Sequence, residues 1–246
     1  MPTPVLGTNA ASGSGWLEAG ETWTYVSADS PTFVFSVNAD VTLKYSAGMR
    51  VQLTQTTVKY FIITAVGAFS AGATQITVYG GTDYTLANAA ITAPYYSVVK
   101  APFGFPLDPA KWTVQFTDVA SRSQATPVSG TWYNIASMGI TIPIGVWTVS
   151  YQVCLLMVDS AGGSWSEFVT LSTAADSESD ADFTVGLYSA ATLTQLMTVV
   201  YREKTLSLAA KTAYYLNAKT VIANLDQIRF ANDNSKLIIR AVCAYL

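Results

Sequence analysis

The stretch that decides the fold runs from residue 140 to residue 158: Ile-Thr-Ile-Pro-Ile-Gly-Val-Trp-Thr-Val-Ser-Tyr-Gln-Val-Cys-Leu-Leu-Met-Val. Its middle alternates strictly. Trp147, Val149, Tyr151 and Val153 fall on one side, and Thr148, Ser150 and Gln152 on the other. A period of two is the signature of a half-buried β-strand. Pro143 cannot donate to a central ladder, so the residues before the strand belong to an edge or a bend. From Cys154 onward the alternation disappears and both faces are apolar. One face packs on the domain core and the other requires cover, because apolar patches of that size are uncommon on monomers.

The C-terminal run, residues 236–246, repeats this pattern. Leu237, Ile239, Ala241, Cys243 and Tyr245 lie on one side, and Ile238, Val242, Ala244 and Leu246 on the other. The simplest cover for two such strands is a second copy of the chain. The expected interface residues are Cys154, Leu156 and Val158 of the first strand and Ile238, Val242, Ala244 and Leu246 of the second.

Strand signals also dominate elsewhere. Short runs rich in Thr, Val, Ile, Tyr and Phe are broken by Gly, Ser, Asp and Asn. They predict strands at 23–26, 32–37, 43–45, 49–53, 59–65, 74–79 and 95–99. In the second half they predict strands at 112–117, 132–135, 168–171, 183–187, 195–201, 205–208, 212–216 and 227–231. Residues 85–93 are the best helical candidate. Residues 101–111 hold three prolines and a glycine and read as a connector. The chain thus divides into an extended arm (1–15), a small β-barrel-like domain (16–100), the connector and a β-sandwich head (112–246). The fold class is all-β.

The composition narrows the function. Of 246 residues only 12% are charged, half are hydrophobic and none is histidine. The longest apolar runs are far short of the ~18 residues of a spanning helix, so membrane insertion is not expected. The segment Met1–Gly7 lacks the basic and apolar regions of a secretory leader. Without His there is no Ser-His or Cys-His pair and no imidazole metal ligand. The 13 Lys and Arg are scattered along the chain, which argues against nucleic acid as a partner. Cys154 and Cys243 read as two buried thiols or as one disulfide between strands.

Two constellations remain. Asp176, Glu178, Asp180 and Asp182 place oxygen ligands at alternate positions, an arrangement that can wrap a calcium ion. The glycine and the twelfth-position Glu of a calcium-binding EF-hand loop are missing, and a solvated hairpin loop is the competing reading. Tyr84, Tyr95 and Tyr96 form a local aromatic group that reads as core, as interface, or as a surface on which sugar rings stack. Gly80-Gly81 lacks the Lys and Ser/Thr of a phosphate loop. No catalytic residues and no cofactor other than that calcium ion are expected.

The quoted stretch resembles the opening strands of tumour-necrosis-factor-like jelly rolls, and the two-faced last strand is similar to the one near the three-fold axis in that family. The resemblance implies a trimeric jelly-roll head. Residues 41–63 (Val-Thr-Leu-Lys-Tyr-Ser-Ala-Gly-Met-Arg-Val-Gln-Leu-Thr-Gln-Thr-Thr-Val-Lys-Tyr-Phe-Ile-Ile), Tyr79-Gly-Gly-Thr-Asp-Tyr-Thr-Leu and Ala101-Pro-Phe-Gly-Phe-Pro-Leu-Asp-Pro resemble a β-module of tailed-bacteriophage virion proteins. That resemblance implies a non-enzymatic virion protein, a homotrimer docked to other virion proteins through its N-terminal arm and domain. The implied role is a tail fibre or spike that contacts a host surface glycan or protein. The alternative is a capsid decoration protein, and a glycan-cleaving spike ranks below both.

Overall fold

The computed structural model describes residues 15–81, 83–98, 112–232 and 236–245. The connector and residues 1–14 of the arm lie outside them. The fold is all-β: among the described residues the helical elements are single 3-10 turns of three residues. The chain divides into two compact units, one within Met1–Trp112 and one at Thr113–Ala244.

The first unit holds β1 (Leu17–Glu18), β2 (Trp23–Asp29), β3 (Thr32–Val37), β4 (Arg50–Gln55), β5 (Thr57–Val66), β6 (Thr74–Tyr79) and β7 (Thr92–Ser97). They form one antiparallel sheet in the order β1-β7-β4-β5-β6-β3-β2. Phe33, Phe35, Val51, Leu53, Phe61, Ile63, Ile76 and Val78 alternate onto one face and fill a common core. Trp23 stacks on Phe35 with centroids 4.5 Å apart, and Tyr45 meets Trp23 edge-on.

Two local expectations fail here for identifiable reasons. Residues 85–93 form no helix. The backbone groups that would pair along a helix are taken instead by the buried side chain of Gln55. Its Nε2 donates to the carbonyls of Ala87 (2.9 Å) and Ala89 (3.0 Å), and its Oε1 accepts from the N–H of Ala87 (3.0 Å). Residues 43–45 form a turn rather than a strand, because the N–H groups of Lys44 and Tyr45 both donate to the carbonyl of Val41.

The second unit holds β8 (Thr113–Asp118), β9 (Arg122–Ala125), β10 (Trp132–Tyr133), β11 (Gly139–Ile142), β12 (Gly145–Ser172), β13 (Val185–Leu208), β14 (Thr212–Thr220), β15 (Gln227–Ala231) and β16 (Leu237–Tyr245). β12 organises all of it. On one side it pairs with β13 along nearly its full length. On the other it meets β15 through Cys154–Val158, β14 through Glu167–Ser172, and also β16.

The strand expected to end at Val158 therefore continues to Ser172, and three short strands expected between 183 and 208 are one. Gly162 and Gly163 permit a bulge where the sequence reads as a break, and the register shifts there. The odd-numbered residues of β12, from Trp147 to Met157 and from Trp165 to Leu171, are all buried. Among the described residues β11, just ahead of Pro143, hydrogen-bonds only to β14, in keeping with the expected edge. Cys154 and Cys243 are thiols, so the disulfide alternative falls.

Candidate functional site

In the acidic loop each expected calcium ligand already has a partner within the chain. Asp180 receives Lys204 Nζ at 2.5 Å and the N–H of Asp182 at 3.0 Å. Asp182 binds the same ammonium at 3.1 Å. Asp176 accepts the N–H of Asn134 at 2.6 Å, and Glu178 accepts the hydroxyl of Thr184. Each carboxylate is turned to a donor of the protein. Among the described residues no three His, Cys, Asp or Glu side chains converge as a metal site. Positive charge between Asp180 and Asp182 is supplied by Lys204. Its hydrogen bond holds the Asp180 carboxyl below the usual range.

The three tyrosines do not form one platform. Tyr96 packs on Tyr45 with centroids 5.5 Å apart, under Lys44 Nζ at 4.7 Å. Lys44 also binds Glu21 at 2.6 Å, and Tyr45 donates to Glu21 at 3.1 Å. Tyr84 packs instead on Tyr60 and Phe61. Tyr95 alternates to the face opposite Tyr96, across Gln52 from Tyr60.

The expected interface residues fare differently from one another. Cys154 (0% exposed) and Leu156 (6%) form a small cluster with Ala231, on the face of β12 opposite the main core, and Val158 packs against it. The chain itself covers the first two, so the reason given for a second copy does not hold at those positions. Ile238 and Val242 are half-buried, Ala244 is exposed, and Leu246 lies outside the described residues.

The exposed apolar surface lies one strand over. Register places Met197 opposite Leu156 and Val199 opposite Cys154, and Tyr201 follows opposite Gln152. These three β13 side chains are 39%, 52% and 55% exposed. β13 is hydrogen-bonded only to β12, so its other backbone edge is unpaired among the described residues. The sequence shows these residues as an ordinary strand. Their exposure depends on β13 being an edge, which periodicity does not reveal.

At its far end the same ribbon carries a ladder of rings around a lysine. Trp132 on β10 and Phe168 on β12 both register on Lys219 of β14. The Lys219 ammonium stands 4.4 Å from the Trp132 ring centroid and 4.9 Å from that of Phe168. Tyr188 on β13 meets Phe168 edge-on at 5.8 Å. Gly186 faces Phe168 across the ladder, and a Cβ there would lie 3.0 Å from Phe168 Cε1 and 3.2 Å from Tyr188 Cε2. The missing side chain makes room for the rings. The four side chains are scattered between Trp132 and Lys219, so only the register brings them together.

Beneath the ladder, on the inner face, Glu167 is wholly buried. Its Oε1 accepts from Thr220 Oγ1 at 2.8 Å, while Oε2 and the nearby Trp165 Nε1 have no hydrogen-bond partner among the described residues. Burial pushes its pKa up to about 8, so the carboxyl is neutral at pH 7.

No family model and no curated protein matches the chain. Among solved structures it is similar to that of the infectious bursal disease virus Gx strain, at 12% identity and a TM-score of 0.32, over 91% of this chain and 56% of that one. It is also similar to the infectious bursal disease virus VP2 subviral particle, at 11% identity and a TM-score of 0.25, over 92% of this chain and 60% of that one. A third match is dimeric latent PorU from Porphyromonas gingivalis, at 10% identity and a TM-score of 0.24, over 91% of this chain and 24% of that one. The chain spans about half the length of the first structure it matches. The likeness to virus structures is weak, and it decides neither family nor role.

Proposed function

We propose that the chain is a non-enzymatic structural component of a tailed phage particle, a homotrimeric tail fibre or spike protein that contributes to host attachment. The observation that supports self-assembly most is the exposed apolar strip Met197, Val199 and Tyr201 on a long unpaired edge strand. Isolated proteins protect such edges with charge, proline or cover. β13 has no proline anywhere, and from Val185 to Tyr201 it has no charge. A second copy of this chain supplies the cover. The resemblance of residues 41–63 and 101–109 to phage virion modules supplies the setting. Attachment is favoured over decoration by the half-buried aromatic and cationic ladder that ends in the exposed Tyr188, a surface suited to binding rather than to packing.

The test is the protein's place in the particle. Gold-labelled antibody against the chain is expected at the tail tip, and the purified protein is expected to compete with adsorption to susceptible cells. Label on the head, with no competition, overturns attachment in favour of a decoration role. Particles that carry no label overturn both.

A further inference from the structure

We infer that the ladder Trp132–Lys219–Phe168–Tyr188 is a binding surface for an acidic carbohydrate. The inference names the ligand class of the attachment role and rests on that reading only for its biological setting.

The argument begins with the lysine. Lys219 makes no ion pair among the described residues, and its close neighbours are two aromatic faces. A ring face attracts a cation but does not neutralise it. The ammonium keeps donors directed away from the rings, so the position recruits an anion from outside. The carboxylates of the adjoining loop do not fill that need. Asp176 is held by Asn134 and Glu178 by Thr184. Glu167, next to Phe168, points to the opposite face and is neutral.

Shape selects a carbohydrate over a lone anion. The ladder crosses four adjacent strands, so its length is about 14 Å, three steps of roughly 4.8 Å. That is a strip for several linked rings rather than a socket for one ion. Tyr188 stands 71% exposed at one end, and Trp132 is half-buried at the other. Both rings are amphipathic, with an apolar face to stack on a sugar and a polar tip to donate. Gly186 keeps the strip low between them. A neutral glycan uses the rings and leaves the ammonium idle, whereas a uronic or sialic acid polymer uses both.

The test is titration of the full chain with oligogalacturonate, with its methyl-esterified counterpart and with oligosialic acid, followed by Trp fluorescence and calorimetry. A glycerol-phosphate polymer serves as an anion without sugar rings. The acidic oligomers are expected to bind at least about tenfold more tightly than the ester. Lys219→Gln is expected to erase that difference, and Tyr188→Ala to weaken acidic and esterified oligomers alike. Both side chains lie at the surface, and far-UV circular dichroism confirms that the variants fold. No binding of either acidic oligomer, or unchanged binding by both variants, overturns the inference. Equal binding of the glycerol-phosphate polymer also overturns it, because charge alone then suffices. Failure of the attachment role is distinguishable: the oligomers still bind, but the protein neither labels the tail nor competes for cells. Conversely, competition that survives in Lys219→Gln sinks the inference and spares the role.

Discussion

Replacing Glu167 with Gln tests the electrostatics of the second unit directly. The buried carboxyl has a folded pKa of about 8 against an ordinary value of 4.5. Between those two values the folded chain holds a proton that the unfolded chain has released. Stability must therefore fall as pH rises from about 4.5 to about 8, and level off above. The contribution is fully present below the unfolded value and is lost as pH passes through the folded one. Integrating from pH 5 to pH 8 gives a loss of about 3 to 4 kcal/mol. The chain suits this measurement because it has no His, the side chain that ordinarily titrates in this interval. The carboxyls of Asp40, Asp118, Asp180 and Asp226 are all held below their usual range, so their titration falls under pH 4. Gln keeps an oxygen for the Thr220 hydroxyl and cannot ionise. Denaturant unfolding at pH 5 and pH 8 is expected to show the loss in the natural chain and none of it in Glu167→Gln. A natural chain equally stable at both values, or a variant with the same slope, refutes the reasoning.

Other perturbations probe separate parts of the structure. Gln55→Ala removes three hydrogen bonds from the backbone of Ala87 and Ala89, and is expected to destabilise the first unit by about 2 to 4 kcal/mol in denaturant unfolding, with faster hydrogen exchange in residues 85–91. Gly139→Ala brings a Cβ to within 2.5 Å of the Tyr214 carbonyl, so β11 is expected to separate from β14 at a cost of about 1 to 3 kcal/mol, read as lost amide protection at Ile140 and Ile142. The natural chain is expected to sediment as a trimer and the double variant Met197→Asp, Val199→Asp as a folded monomer, since both side chains are already exposed in the single chain. Calcium titrated into the protein is expected to release no heat, because the acidic loop is closed by Lys204 and by backbone donors.

Much of the fold was legible because strand periodicity is a local property. Trp147 to Val153 shows its buried face in the sequence itself, and the structure buries that face. The failures come from competition between local and tertiary bonds. The segment at 85–93 has helix-forming residues, yet Gln55, more than thirty positions earlier, takes its backbone groups. The gap left between the strands expected to end at 158 and to begin at 168 is a bulge within one strand. Among candidate sites the acidic run was visible as composition, but its pairing with Lys204, twenty-two residues beyond Asp182, was not. The ladder was invisible, because Trp132, Phe168, Tyr188 and Lys219 are joined only by register.

The bulge also explains why two different outward strips share β13. Before it, odd residues of β13 face inward: Val185, Leu187 and Ser189 pair with Val169, Glu167 and Trp165. After it, the parity is reversed, and Leu196, Thr198 and Val200 pair with the inward Met157, Leu155 and Val153. The crossover at Ala190–Gln195 leaves every residue exposed. A strand that changes parity at mid-length can present two chemically different strips on one face of the same ribbon. Gly186 and Tyr188 serve the ladder on one side of the crossover, and Met197, Val199 and Tyr201 form the apolar strip on the other. Without the added residues of the bulge, the side chains now outward would turn inward against Met157 and Leu155, and the apolar strip would be lost to the core. The bulge is thus the element that lets one strand carry the strip proposed for assembly at one end and the ladder proposed for ligand contact at the other.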